Sequence, residues 1–135
     1  MEPNTNNTTA GVLKRRVLIV DDNQDAATTL ALILKLTGYE AHTRFDGQTG
    51  IEAAESLRPQ VIILDISMPG MDGYQACRFI RERPWGRPIL LVALSGYGQE
   101  DDKRRSTEAG FDAHLVKPVD LAALKGLLAS VPHPE

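Results

Sequence analysis

Apolar residues fall along this chain in two alternating rhythms. Short, unbroken or every-other-residue runs occur at Val17-Val20, Tyr39-Arg44, Val61-Leu64, Ile89-Leu94 and Ala113-Val116. Between them lie longer stretches in which apolar positions recur every three or four residues. The first rhythm predicts strands and the second amphipathic helices. In strict alternation they predict βαβ units closing into a parallel sheet.

Asn23 or Asp22 can cap a first helix through Ala26, Leu30, Ile33 and Leu34, which Gly38 stops. Tyr39-Arg44 reads as a short second strand with Ala41 and Thr43 on one face. Asp46-Gly47 turns into a second helix carrying Ile51, Ala54 and Leu57, ended by Pro59. Val61-Leu64 has no polar alternation, so it is predicted to be a central strand covered on both faces. The segment Ile66-Ser67-Met68-Pro69-Gly70-Met71-Asp72-Gly73 is rich in Pro and Gly and predicts a loop, with Met68 and Met71 as packing residues.

A third helix is expected over about Tyr74-Arg83, broken by Pro84-Trp85-Gly86, where Trp85 is either a cap on the core or an exposed contact. The stretch near Gln99-Ala109 is almost entirely polar or charged, so it predicts a helix with few anchors and weak docking. Gly110 closes it, and Asp120 can cap a last helix carrying Leu121, Leu124 and Leu128. Residues 1–14 are rich in Asn and Thr and are expected to be a disordered lead-in. The domain is placed at 15–130 with a tail at 131–135.

Length and charge narrow the classes. A chain of 135 residues suits one α/β domain with a single core. No stretch approaches the ~20 apolar residues of a bilayer span, and Met1-Thr9 lacks the pattern of an export signal. A cytoplasmic protein with no membrane contact is expected. Cys77 is the one cysteine, which excludes a disulfide framework and a cysteine-pair metal site. A net charge of −3, with Lys103-Arg104-Arg105 directly behind Glu100-Asp101-Asp102, predicts no direct contact with nucleic acid. His42, His114 and His133 have no ligand-like spacing.

The chemistry sits where the strands end. Four apolar runs lead into Asp21-Asp22, Asp65, Ser95 and Lys117-Pro118. An open parallel sheet binds ligands beyond the carboxyl ends of its strands, where the strand order reverses. For a doubly wound five-stranded sheet in the order 2-1-3-4-5, Asp21, Asp22 and Asp65 face each other across that crevice. Taken singly, an aspartate there is a cap or turn former; the joint placement is what points to a site. Three clustered carboxylates suit a hard cation such as Mg²⁺, which Mn²⁺ can replace. A carboxylate can also attack phosphorus if the charge on the equatorial oxygens is neutralised. Mg²⁺, Lys117 and the Ser95 hydroxyl can divide that work.

The segments Val17-Leu-Ile-Val-Asp-Asp-Asn23, Leu64-Asp-Ile-Ser-Met-Pro-Gly-Met-Asp-Gly73, Ala93-Leu-Ser95 and Leu115-Val-Lys-Pro118 together resemble a receiver domain of two-component response regulators, over about Lys14-Ala129. The flavodoxin-like receiver fold follows from that resemblance. So does a role as phosphoacceptor in a phosphorelay, taking its phosphoryl group from a histidine kinase or phosphotransfer protein. The resemblance implies that Asp65 is the acceptor, Asp22 a direct Mg²⁺ ligand, Asp21 a ligand through water, and the Ser67 backbone carbonyl a further ligand. Ser95 and Lys117 become the phosphate-sensing hydroxyl and the phosphate-pairing lysine, and the Lys117-Pro118 bond is expected to be cis. Ser67 and Tyr97 lie where such domains tune access of water to the acyl phosphate.

The chain departs from the family pattern at His114, three before the lysine, where an aromatic switch residue is usual. His114 is either a half-exposed strand residue or an imidazole form of that switch. The face made by the fourth helix, fifth strand and last helix is expected to repack on phosphorylation. The segments 94–102 and 110–118 look most like receivers joined to sensor kinases, which slightly favours the receiver segment of a hybrid kinase over a stand-alone regulator. Such a module performs its own phosphotransfer and slow hydrolysis but is no metabolic enzyme. Two alternatives are an aspartate-nucleophile phosphatase and an unphosphorylated pseudo-receiver. The first needs an acid two residues after Asp65, where Ser67 stands; the second is at odds with a complete residue set.

Overall fold

The computed structural model describes residues 14–96 and 100–131. Five parallel strands, β1 (Arg16–Val20), β2 (Glu40–Arg44), β3 (Val61–Asp65), β4 (Leu90–Ser95) and β5 (Ala113–Val116), form one sheet in the order β2-β1-β3-β4-β5. Five helices alternate with them: α1 (Gln24–Leu36), α2 (Gly47–Leu57), α3 (Gly73–Arg81), α4 (Glu100–Ala109) and α5 (Leu121–Ala129). The doubly wound order expected from the sequence is the one observed.

The apolar runs are continuous because the sheet is covered twice. Leu18, Val20, Ile62, Leu64, Leu91 and Ala93 pack with the buried residues of α2 and α3. Their neighbours Val17, Ile19, Val61, Ile63, Val92 and Leu94 pack with Ala27, Leu30, Ala31 and Leu34 of α1 and Leu124 and Leu128 of α5. Successive strand residues point to opposite faces, so a strand buried on both sides must be apolar at every position. Each buried valine, leucine or isoleucine among them contributes about 1.5–3 kcal/mol.

Local chemistry sets the helix limits. Asn23, rather than Asp22, caps α1 by accepting from the Ala26 amide at 3.1 Å. Asp46 caps α2 and Asp120 caps α5. Asp72 and Gln75 form a reciprocal capping box, which starts α3 one residue earlier than its apolar spacing predicted. That helix also stops sooner, at Arg81: the amides of Glu82 and Arg83 bond back in a tightening turn, and Pro84–Gly86 forms a 3₁₀ turn instead of a plain break. Ile89 belongs to the exit from that turn, so β4 begins at Leu90 and runs on to include Ser95. Trp85 is half-buried against the core, with the Arg58 guanidinium over its ring. Met68 is buried and Met71 packs partly on the same cluster.

The charged helix α4 buries Ser106 and Ala109 among its described side chains, consistent with its thin apolar anchoring. Gly110 follows at φ +113°, a left-handed turn that only glycine adopts without strain, and Phe111 then enters the core. No helix among the described residues is long and apolar enough to cross a membrane.

A carboxylate cluster at the carboxyl edge of the sheet

β1 and β3 are hydrogen-bonded neighbours whose following helices cover opposite faces, so their carboxyl ends open on a shared crevice. Asp21 directly follows β1 and Asp65 ends β3, and both carboxylates are drawn inside. Each retains only 2% of its accessible surface. Asp22, the next residue, stays exposed. Carboxylate oxygens of all three residues lie within 4.8 Å of one another.

Backbone amides fix two of these side chains. Asp21 Oδ1 accepts from the Asn23 amide at 2.9 Å, and Asp65 Oδ1 accepts from the Ser67 amide at 2.9 Å. The other Asp65 oxygen accepts from Lys117 Nζ at 3.0 Å, and the same ammonium lies 3.3 Å from Asp21 Oδ2. Lys117 reaches this position because its own amide donates to the Ser95 carbonyl at 2.7 Å, extending the β4–β5 pairing past Val116. The Lys117-Pro118 peptide bond is cis.

The electrostatics divide the two buried acids. Burial pushes the Asp21 carboxyl up to about 6; the Asn23 amide opposes the shift, and the neighbouring Asp65 adds to it. Burial acts on Asp65 in the same direction, but the Ser67 amide, Asp21 and Lys117 together outweigh it and hold the carboxyl below its ordinary value. Lys117 is desolvated as well, yet its two carboxylate partners raise its pKa. The two acids are therefore shifted in opposite directions, Asp65 toward its charged form and Asp21 toward its protonated one. A divalent cation would remove that conflict, and two buried oxygen-donor residues beside an exposed one suit Mg²⁺, which keeps part of its water shell.

Ser95 ends β4 and is 1% exposed. Its hydroxyl lies 2.8 Å from His114 Nε2 on the neighbouring strand. The other ring nitrogen, Nδ1, lies 3.3 Å from Ser106 Oγ on α4. Ser106 in turn donates to the Asp102 carbonyl at 2.8 Å, and the Tyr74 hydroxyl of α3 reaches Asp102 Oδ1 at 3.4 Å. Of the residues singled out by sequence, Asp21, Asp22, Asp65 and Lys117 converge directly. Ser67 contributes its amide to that group, and Ser95 is bonded sideways to His114. Tyr97 and His133 lie outside the described residues. Sequence reasoning did not find Ser106 or Tyr74. The one available signal was Ser106 three before Ala109, marking the buried stripe of an otherwise charged helix.

Comparison with known proteins agrees with this geometry. The sequence profile of the response regulator receiver domain matches residues 17–129. The transcriptional regulatory protein PrrA of Mycobacterium bovis is 40% identical over 114 residues, covering 84% of this chain and 48% of the relative. The alkaline phosphatase synthesis transcriptional regulatory protein PhoP of Bacillus subtilis is 33% identical over 106 residues, 78% of this chain and 43% of the relative. The chain thus spans about half the length of the curated relatives it matches. Among solved structures, the chemotaxis protein CheY4 of Vibrio cholerae superposes with a TM-score of 0.82 at 28% identity, over 88% of this chain and 99% of that one.

Proposed function

Because this chain belongs to the family of response regulator receiver domains, we propose that it accepts a phosphoryl group on Asp65 from the phosphohistidine of a histidine kinase or phosphotransfer protein, in a Mg²⁺-dependent reaction in the cytoplasm. The observation that carries this reading is the Lys117 ammonium, 3.0 Å from an Asp65 oxygen, beside three carboxylates gathered within 4.8 Å. In the transfer the histidine N–P bond breaks as an Asp65 O–P bond forms, leaving a mixed anhydride on the protein and a free imidazole on the donor. Asp22 and Asp65 would supply direct oxygen ligands to the cation, Asp21 would act through water, and the Ser67 carbonyl would complete the set. Bound Mg²⁺ supplies positive charge against the phosphoryl oxygens.

The residues present do the remaining work. The Ser67 amide orients Asp65 by holding Oδ1, which leaves the carboxylate fixed for in-line attack. Lys117 is positioned to follow the charge from the carboxylate to the phosphoryl group, and the Ser95 hydroxyl serves a further oxygen. A groove of about 690 Å³, lined by Asp21, Ala26, Leu30, Lys117, Pro118 and others, opens beside the cluster between α1 and the β5–α5 connection.

The unit that carries this activity is residues 15–130, flanked by a lead-in at 1–14 and a tail at 131–135. Phosphorylation then repacks the face formed by α4, β5 and α5, where α4 is held by few buried side chains. That face signals to a protein partner; the net charge of −3 offers no footprint for nucleic acid. Chemistry beyond self-catalysed transfer and slow hydrolysis is not part of this function. A phosphatase mechanism lacks its second acid, since Ser67 stands two residues after Asp65.

Incubation with acetyl phosphate and Mg²⁺, followed by intact mass measurement, tests the proposal. Wild type is expected to gain one acid-stable, base-labile phosphoryl group, and Asp65→Asn none. Labelling that persists in the variant would move the acceptor elsewhere.

A further inference from the structure

The hydrogen-bond chain from Ser95 to α4 fixes where its hydrogens lie. The Ser106 hydroxyl has one hydrogen and spends it on the Asp102 carbonyl at 2.8 Å. Toward His114 Nδ1, at 3.3 Å, Ser106 Oγ can then only accept. A neutral imidazole that donates from Nδ1 presents a lone pair at Nε2, so the Ser95 hydroxyl must donate to it across 2.8 Å. That hydroxyl also has a single hydrogen. It cannot serve His114 Nε2 and a phosphoryl oxygen on Asp65 at the same time.

We propose that His114 is a positioning residue for the phosphoryl reaction: the neutral ring, protonated at Nδ1, keeps the Ser95 hydrogen on its Nε2, and uptake of a proton reverses that bond and frees the hydrogen for a phosphoryl oxygen. This rests on the reading of Asp65 as acceptor. In the charged ring, Nδ1–H still donates to Ser106 while Nε2–H donates to a Ser95 lone pair. The only addition is one proton from solvent at Nε2, and both bonds of the imidazole survive. With a neutral ring, by contrast, phosphorylation either leaves the Nε2 lone pair without a donor or moves the ring to its other tautomer, which takes the Ser106 hydrogen from the Asp102 carbonyl; each costs free energy. Phosphorylation of Asp65 and protonation of His114 therefore favour each other, by the reciprocity that links any two binding events.

The surroundings permit this exchange. From α4, the Asp102 carboxylate favours the charged ring and the Lys103 ammonium opposes it. Asp112 lines the same small cavity, about 210 Å³, with its carboxylate 2.6 Å from Arg81. Lys117, three residues along, is tied to Asp65 and Asp21. β4 brings no charged residue to the ring, and neither does the rest of β5. Burial, the largest influence, holds the His114 pKa below its ordinary value, so the ring is neutral near pH 7 until something stabilises its charge.

Nitrogen NMR of the imidazole in the full chain tests this, with the signals assigned by their loss in His114→Asn. Without a phosphodonor the Nδ1–H tautomer is expected; the opposite tautomer overturns the proposal whatever Asp65 does. After acetyl phosphate and Mg²⁺, with one phosphoryl group confirmed by mass, the His114 pKa is expected to rise by about one unit, a tenfold shift. Correspondingly, wild-type labelling should favour acid over neutral pH by about tenfold relative to His114→Asn and His114→Phe. An unmoved pKa in the labelled protein, or the same pH profile in wild type and both variants, sinks this inference alone. A wild type that keeps the expected tautomer but takes no phosphoryl group overturns the acceptor reading, and this inference with it.

Discussion

The Asp65 carbonyl oxygen lies 2.5 Å from the point where a side-chain carbon on Gly73 would sit, and Ile66 Cα lies 2.6 Å from it. The start of α3 is thus pressed onto the strand end that presents the acceptor carboxylate, an approach only glycine allows. Gly73→Ala must push the two backbones apart. It is expected to cost about 1–3 kcal/mol, read by urea denaturation, and to slow labelling by acetyl phosphate through displacement of Asp65. A variant with wild-type stability and labelling would show that the contact relaxes freely.

Asp21 gives the stability a pH dependence. Its folded pKa is about 6 against an ordinary 3.8, so the native state binds the proton more tightly than the unfolded chain. Stability from this group is present at acid pH and is lost as pH rises through about 6. Asp65 acts in the opposite sense, since its depressed pKa gives stability that disappears as pH falls below the Asp21 window. At neutral pH without divalent cations, Asp21→Asn is expected to raise stability by about 1–3 kcal/mol and to weaken the stabilisation that added Mg²⁺ gives. Thermal melts with EDTA and with Mg²⁺ provide the check; an asparagine variant less stable than wild type in EDTA contradicts it.

Arg81 joins three segments, α3, residues 86–89 and residues 110–112. Its guanidinium donates to the carbonyls of Gly110 and Ile89 at 2.8 Å each, to those of Gly86 and Arg87 at 3.1 Å, and to Asp112 Oδ2 at 2.6 Å. Arg81→Ala leaves several of these acceptors without a donor and is expected to cost about 2–4 kcal/mol in urea unfolding. Arg81→Lys should recover little, because an ammonium cannot span the fork. Labelling of Asp65 in the folded variant is expected to stay at the wild-type rate, since Arg81 touches none of the cluster.

Burial pushes the Cys77 thiol up to about 12 from an ordinary 9.0. The thiolate fraction at pH 8 is then about a thousandfold below that of a free cysteine. Iodoacetamide is expected to leave the native protein unmodified over hours and to label it promptly in urea. Rapid native labelling would show that α3 opens locally.

The strands were legible because a parallel sheet covered on both faces demands unbroken apolar runs, as in Val61 to Leu64, and each run is short enough to end at a definite residue. Asp21, Asp65 and Lys117 could be placed at one edge on that basis, since strand direction carries every run's last residue to the same side. Helix limits set by one side chain were less legible. The capping box of Asp72 and Gln75 lies inside a loop rich in Pro and Gly, which masked the early start of α3.

The sequence by itself determined the alternation of strands and helices, the buried faces, and the acidic edge, because these follow from periodicity within short segments. Tertiary structure alone decided that Asp21 and Asp65 share one ammonium, that Gly73 must admit the Asp65 carbonyl, and that His114 links Ser95 to Ser106. Those contacts join residues brought together by the packing of separate elements, where tenths of an ångström and the direction of one hydrogen matter, and no local pattern along a chain encodes either.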